Sequence, residues 1–277
     1  FLQYRIVFIM ALLRPLRAFL LFLLIAGLAC QEQKRPDVSQ ISVKLEVKRF
    51  ERDFFSLDTN QLASGLRSLE QKYPVFLPEF FTHISGLPWN GQDRTSSQLA
   101  VIKQFLHDYR SVFDSTEKIF GDIRPQTEAI KAAMQLVNYY FPEYKLPDQW
   151  ITYIGPFDAI FQASLGSYSD VLMTAGMASG LQLHLGASSP IYQDPVILSL
   201  YPAYLSRKFT PATIAVNTIK NLIDDLYPEK IQDRPLLEQM VEKGKRLYLL
   251  DQFMPDVADT LKIGYTAEQL EGCSRQE

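Results

Sequence analysis

The chain has 277 residues, of which 47% are hydrophobic and 21% charged, with a formal net charge of −3. This is an ordinary globular composition and excludes collagenous, disordered and multi-span membrane classes. The near-neutral balance leaves no basic footprint for nucleic acid, so no nucleic-acid partner is expected.

The first part of the chain reads as a secretory signal. Arg14 and Arg17 form a positive region, Ala18 to Leu28 is apolar but too short to span a bilayer comfortably, and small residues follow. Translation is expected to start at Met10, which makes 1–9 upstream read-through and 1–29 a segment outside the mature protein. The alternative is a longer transmembrane anchor over Ile6 to Leu28. It would bury Arg14 and Arg17 at a cost of about 2.5 kcal/mol or more each.

Leu24-Ile-Ala-Gly-Leu-Ala-Cys30 resembles a bacterial lipobox, although Gly27 stands where a leucine is usual. A small residue before the thiol allows cleavage there, and the thiol of Cys30 would carry the lipid, with palmitate among its acyl chains. Several chains anchor a protein firmly where one does not. The other cysteine is Cys273, so acylation of Cys30 excludes an internal disulfide. Residues 30–40 then form a lipidated tether and 41–277 one domain, which is expected to be truncated at its C-terminus because an amphipathic helix has just begun there.

Val43, Leu45 and Val47 alternate with Lys44, Glu46 and Lys48, which predicts a half-buried strand at a sheet edge. Helices follow: one with Leu62, Leu66 and Leu69, capped by Thr59 or Asn60, and a short apolar one over Val75 to Ile84. Ser96 or Ser97 is read as the cap of a run reaching towards Phe120, and another helix covers Ile123 to Phe141. Strands are expected near 150–155, 171–174 and 180–185, with turns at Gly166, Gly176 and Gly186. Thr210-Pro211 opens the next helix. A further helix over Leu236 to Leu250 is read with Leu237, Met240, Val241, Gly244, Leu247 and Tyr248 inward, and Thr266 caps the last one. The fold class is α+β, mainly helical with a small β-sheet.

Chemistry is sparse. His83, His107 and His184 are widely separated, and none belongs to a His-Glu-x-x-His arrangement, so no metal ligands are assigned. Neither a nucleophile elbow nor a phosphate loop is present. The pairs Asp224-Asp225, Asp256/Asp259 and Glu238/Glu242 read as solvated helix faces. No catalytic residue and no cofactor follow from this, and Cys30 alone receives a chemical role.

Several blocks carry a resemblance: Ser42-Val-Lys-Leu-Glu-Val-Lys-Arg-Phe-Glu-Arg-Asp-Phe-Phe55, Lys72-Tyr-Pro-Val-Phe76, Gly180-Leu-Gln-Leu-His-Leu-Gly186 and Tyr201-Pro-Ala-Tyr-Leu-Ser-Arg-Lys-Phe209. Two more lie late in the chain, running from Glu238 to Pro255 and from Ile263 to Leu270. In order, they are similar to the gliding-motility lipoprotein GldB family. Gln182 departs from it, standing where an acidic residue is expected. The resemblance implies an envelope lipoprotein that supports gliding motility and the associated secretion machinery, facing the periplasm, with the membrane and envelope proteins as its partners.

The family also looks distantly like zincin-type metallopeptidases, in which a His-Glu-x-x-His helix precedes a helix bearing a glutamate ligand. Here the first helix would be Pro211 to Leu226, which has no histidine, with Glu238 or Glu242 on the second. That implies a degenerate zincin-like fold and a non-enzymatic protein working by protein–protein contact. Phe54, Phe55, Phe80, Phe81, Tyr139 and Tyr140 are candidate interface anchors. Two alternatives stay open: a metal-dependent hydrolase with atypical ligands, and a periplasmic ligand-binding lipoprotein with Gly155 to Gly186 as its pocket rim.

Overall fold

Alternation in the segment around Val47 gives strand β1, Glu46–Arg49. The structure, a computed structural model, describes residues 35–86, 89, 95–159, 161–163, 166–228 and 234–275, and one folded unit falls within 39–277. Strand β2 is Gln149–Tyr153, and Phe161–Ala163 (β3) and Gly166–Tyr168 (β4) form a hairpin of their own. β5 is Asp170–Met173 and β6 is Gly176–Gly180. The main sheet has four strands in the order β1-β2-β6-β5. β1, β2 and β6 run parallel, while β5 pairs antiparallel to β6 at the edge opposite β1.

The central strand β2 is buried on both faces from Trp150 to Tyr153, as a strand flanked on either side must be. Residues in register across a sheet share a face, so Arg49, Thr152, Ser179 and Asp170 make one polar row across all four strands. The two inner members are satisfied locally. Thr152 donates to Glu51 Oε2 at 2.7 Å, and Ser179 Oγ accepts from the Trp150 indole at 3.0 Å. Burial pushes the Glu51 carboxyl up, and the Arg49 guanidinium at 2.5 Å opposes that shift.

The helical half begins abruptly. Phe50 belongs to helix α1, Phe50–Phe55, and not to the strand that precedes it. Its ring packs against Phe54, Tyr73, Phe76 and Phe80 at centroid separations of 4.9–5.3 Å. Ring pairs of this kind are worth about 0.5–1.5 kcal/mol each beyond area burial.

Helix α2 is Leu62–Lys72, without a side-chain cap from Thr59 or Asn60. Helix α3, Phe76–Glu79, widens into a π turn over Phe80–Ile84. Thr95, not Ser96 or Ser97, caps α4 (Ser96–Asp108) through a capping box with Gln98. The chain bends at Tyr109 before α5, Arg110–Phe120. Tyr109 stacks on Phe105 at 4.4 Å, and its hydroxyl accepts the Phe157 N–H. Helix α6 spans Arg124–Tyr140.

The expected strand over 180–185 is corrected. β6 ends at Gly180, and Leu181–Leu183 forms a 3-10 turn. Gly176 starts β6 at φ +128°, where a Cβ would lie 2.6 Å from Gln149 O, so the tight turn after β5 requires glycine there. The Tyr192 hydroxyl then holds the 3-10 turn by accepting the Leu185 N–H and donating to Gln182 O. Two glycines of the Gly155 to Gly186 stretch are tightly packed: Cβ atoms at Gly155 and Gly180 would fall 2.6–2.9 Å from neighbouring side chains, whereas Gly186 has open space around it.

Short helices α7 (Pro195–Leu200) and α8 (Ala203–Ser206) lead to α9, Thr213–Leu226, and helix α10 is Leu236–Phe253. α9 lies against β5, α6 and α10. The expected inward face of α10 is corrected: Leu237, Met240, Val241 and Tyr248 are exposed, whereas Arg246, Leu250 and Phe253 are buried. Arg246 supplies the reason. Its guanidinium donates to Tyr227 O and Glu242 O and stacks on the Tyr227 ring at 4.9 Å, tying α10 to the end of α9. Helices α11 (Asp259–Ile263) and α12 (Ala267–Ser274) complete the unit, the latter capped by Thr266 in a capping box with Gln269.

Candidate functional site

The polar row across the sheet ends at Asp170, the first residue of β5, and there it meets α9. Asp170 Oδ2 accepts from His184 Nε2 at 2.9 Å and from Asn217 Nδ2 at 2.9 Å. All three side chains are at most 4% exposed. Asp170 Oδ1 makes no hydrogen bond among the described residues.

On the other side of the imidazole, His184 Nδ1 lies 3.1 Å from Thr213 Oγ1 and 3.2 Å from Thr210 O. Thr213 has one hydroxyl proton to give. If it goes to Thr210 O at 2.7 Å, both ring nitrogens donate; if it goes to Nδ1, the ring keeps its proton on Nε2. Either way Nε2–H points at Asp170, and both nitrogens are taken up inside the protein. This clasp joins β5, the turn after β6 and the start of α9.

Thr213, Asn217 and Lys220 lie at i, i+4 and i+7 and therefore share one face of α9. Above that face is a cleft of about 220 Å³, walled by Arg207, Lys208 and Thr210 and closed by the turn between α11 and α12. Gly264 in that turn sits at φ +77°, and the Lys208 side chain lies 3.1 Å from where its Cβ would be. Lys220 is 4% exposed, and burial holds its ammonium down to about 8. Lys208 adds to that shift, while Asp170 and Asp224 oppose it. Lys208 is lowered too, by burial and by Arg207.

The structure brings together one of the residues singled out in the sequence, His184, with three that were not: Asp170, Thr213 and Asn217. His83 and His107 are exposed on their helices. Glu238 is exposed, and Glu242 lies beside the α9–α10 junction, where Lys245 and the Tyr227 hydroxyl hold its carboxyl down to about 2. Asp225 accepts from Tyr144, Asp224 faces Arg246, and Asp259 pairs with Lys262. Gln182 is fully buried, with Oε1 accepting the Gly155 N–H at 3.2 Å.

Among the described residues, no three His, Cys, Asp or Glu side chains gather in a way that could hold a metal ion. Phe54, Phe55, Phe80 and Phe81 are core rather than interface anchors, whereas Tyr139 and Tyr140 are exposed. Cys30 and the whole signal segment lie outside the described residues. Among those described, no helix is long and apolar enough to cross a membrane.

A family profile described as gliding motility protein GldB matches residues 31–277. The chain belongs to the GldB family. Membership makes it a gliding-motility-related lipoprotein of the cell envelope. The GldB match begins at Gln31, the residue after Cys30, and runs through β1, the Asp170 clasp and the Thr266 cap. No curated protein and no solved structure matches the chain.

Proposed function

We propose that this GldB protein is a non-enzymatic envelope component, anchored by lipid on Cys30, that supports gliding and its associated secretion machinery through protein–protein contacts. The observation that carries the reading is the pair of residues at i and i+4 on α9. A zincin-type helix places two histidines at that spacing towards its site, because imidazoles one turn apart can grip one zinc ion. Here the cleft-facing pair is Thr213 and Asn217. Neither is a competent zinc ligand, and the nearby His184 has both nitrogens engaged. A degenerate zincin-like scaffold, its catalytic helix rewritten, accounts for this arrangement.

Two further features support contact as the mode of action. The first half of α10 presents Leu236, Leu237, Met240 and Val241 to the surface, and clustered exposed apolar side chains of this kind mark interaction sites. The family match starts one residue beyond Cys30, which supports reading Cys30 as the lipid-bearing residue ahead of the domain.

Affinity purification of the full-length lipoprotein from its own envelope, followed by metal analysis of the same sample, tests the proposal. Other envelope proteins are expected to co-purify, without stoichiometric zinc. Bait alone under mild conditions would contradict the contact role. Stoichiometric zinc lost on His184→Ala or Glu242→Gln would contradict the non-enzymatic one.

A further inference from the structure

Helices α7 and α8 present apolar side chains to solvent from a segment that carries no charge. Pro195 to Ser206 is twelve residues without an acidic or basic side chain. Within it Val196 is 69% exposed, Leu198 39%, Leu200 41% and Tyr204 63%. Val196 and Leu200 lie at i and i+4 and therefore share one face of α7. The element is firmly mounted. Ile197 packs on the core, and the buried Tyr201 donates to Phe157 O while its ring meets Phe209 edge-on.

Three properties select what covers this surface. The first is its backbone: the two prolines carry no N–H, and neighbouring donors are satisfied locally. Val196 and Ile197 donate to Asp194 Oδ1, Leu198 to Asp194 O and Tyr201 to Ile197 O, while the Ser199 hydroxyl donates to Val196 O. A bilayer offers no hydrogen-bond partners, so a segment that enters it must satisfy its polar groups in this way. The second is charge. No aspartate or glutamate occurs between Asp194 and Asp224, and Arg207 and Lys208 directly follow the uncharged run. Arg207 is exposed and donates to the neutral Gln269 amide, a bond that leaves its positive charge in place. Exposed aliphatic side chains beside a tyrosine and cations suit the boundary between headgroups and acyl chains. The third is reach. Ten residues lie between Cys30 and Ile41, whose carbonyl accepts from Gln135 Nε2 on α6. A lipid on Cys30 would therefore keep the bilayer within about 40 Å of Ile41, at a high effective concentration.

We infer that the α7–α8 surface from Val196 to Tyr204 docks on the lipid bilayer and sets which way the anchored domain faces. The inference rests on the lipid anchor of the proposed function and adds a contact made by protein side chains. Four exposed apolar side chains orient a domain that lipid already holds; they do not hold it alone.

The test places the full-length lipoprotein on vesicles of equal parts phosphatidylglycerol and phosphatidylcholine brominated high in its acyl chains, which quenches tryptophan at close range. Tyr204→Trp puts a reporter on the surface, and Tyr248→Trp puts a similarly exposed one on α10. The wild type supplies the background from Trp89 and Trp150. Flotation with the vesicles reads the anchor. Emission from Tyr204→Trp is expected to shift to the blue and to be lost to bromine, as at a depth of about 5–10 Å, while Tyr248→Trp keeps its emission. Adding Val196→Glu with Leu200→Glu, both at exposed positions, should abolish the quenching while flotation persists. Flotation without added quenching at Tyr204→Trp, equal quenching of both reporters, or quenching that survives the two glutamates would overturn the assignment. A wild type that does not float would remove the anchor, and the assignment with it.

Discussion

Asp170→Ala is expected to cost about 3–5 kcal/mol of folding stability, a large share of the roughly 5–15 kcal/mol that holds a domain together. The carboxylate is the common acceptor for His184 Nε2–H and Asn217 Nδ2–H, and alanine would leave both donors buried and unpaired. Lys220 would lose a favourable negative charge as well. Asp170→Asn keeps the shape and one acceptor oxygen, so it should cost about 1–2 kcal/mol. Urea denaturation of the three proteins gives the comparison. A loss below about 1 kcal/mol in the alanine variant would mean that the clasp does not hold β5 to α9.

Lys220→Met should act in the opposite direction, raising stability by about 1–3 kcal/mol near pH 7. In the folded protein burial brings the ammonium down to about 8, from the 10.5 of an unburied lysine. A depressed lysine is a cost: below about pH 8 both states hold the proton, and the folded state bears the full penalty, about 3 kcal/mol. As pH rises from about 8 towards 10.5, the unfolded chain holds more protons than the folded one. Wild-type stability is therefore regained relative to the variant.

The groups setting this balance are Lys208, Asp170 and Asp224. The advantage of the methionine variant should shrink over that window, as read by denaturation at pH 7 and pH 10. A constant difference would show that the gain comes from packing.

Much of the scaffold was legible in the residues. The alternation of Val43, Leu45 and Val47 against lysines gave an edge strand, and the Thr266-to-Gln269 spacing gave a capping box that the structure contains. The blocks from Ser42 to Leu270 pointed to the family that the profile match established. What escaped was set by tertiary packing. The stripe Leu237, Met240, Val241 and Tyr248 reads as a buried face, yet only the last turns of α10 are held down, by Arg246, Leu250 and Phe253. Burial of an arginine at a helix junction leaves no periodic trace.

The candidate site escaped for a related reason. Asp170 and Asn217 are 47 positions apart and meet only because β5 returns antiparallel to β6 beneath α9. His184 was visible only as one of three scattered histidines. The signal that could have found the site is Thr213 with Asn217, spaced as paired ligands would be but carrying the wrong side chains.

The most direct measurement combines Cys30→Ser with palmitate labelling, membrane fractionation and colony spreading in the native host. If lipid on Cys30 holds this domain where its contacts drive gliding, the variant should lose its label, leave the membrane fraction and fail to spread, while the protein itself still accumulates. Undiminished labelling, or full spreading by unlabelled protein released from the membrane, would contradict the account.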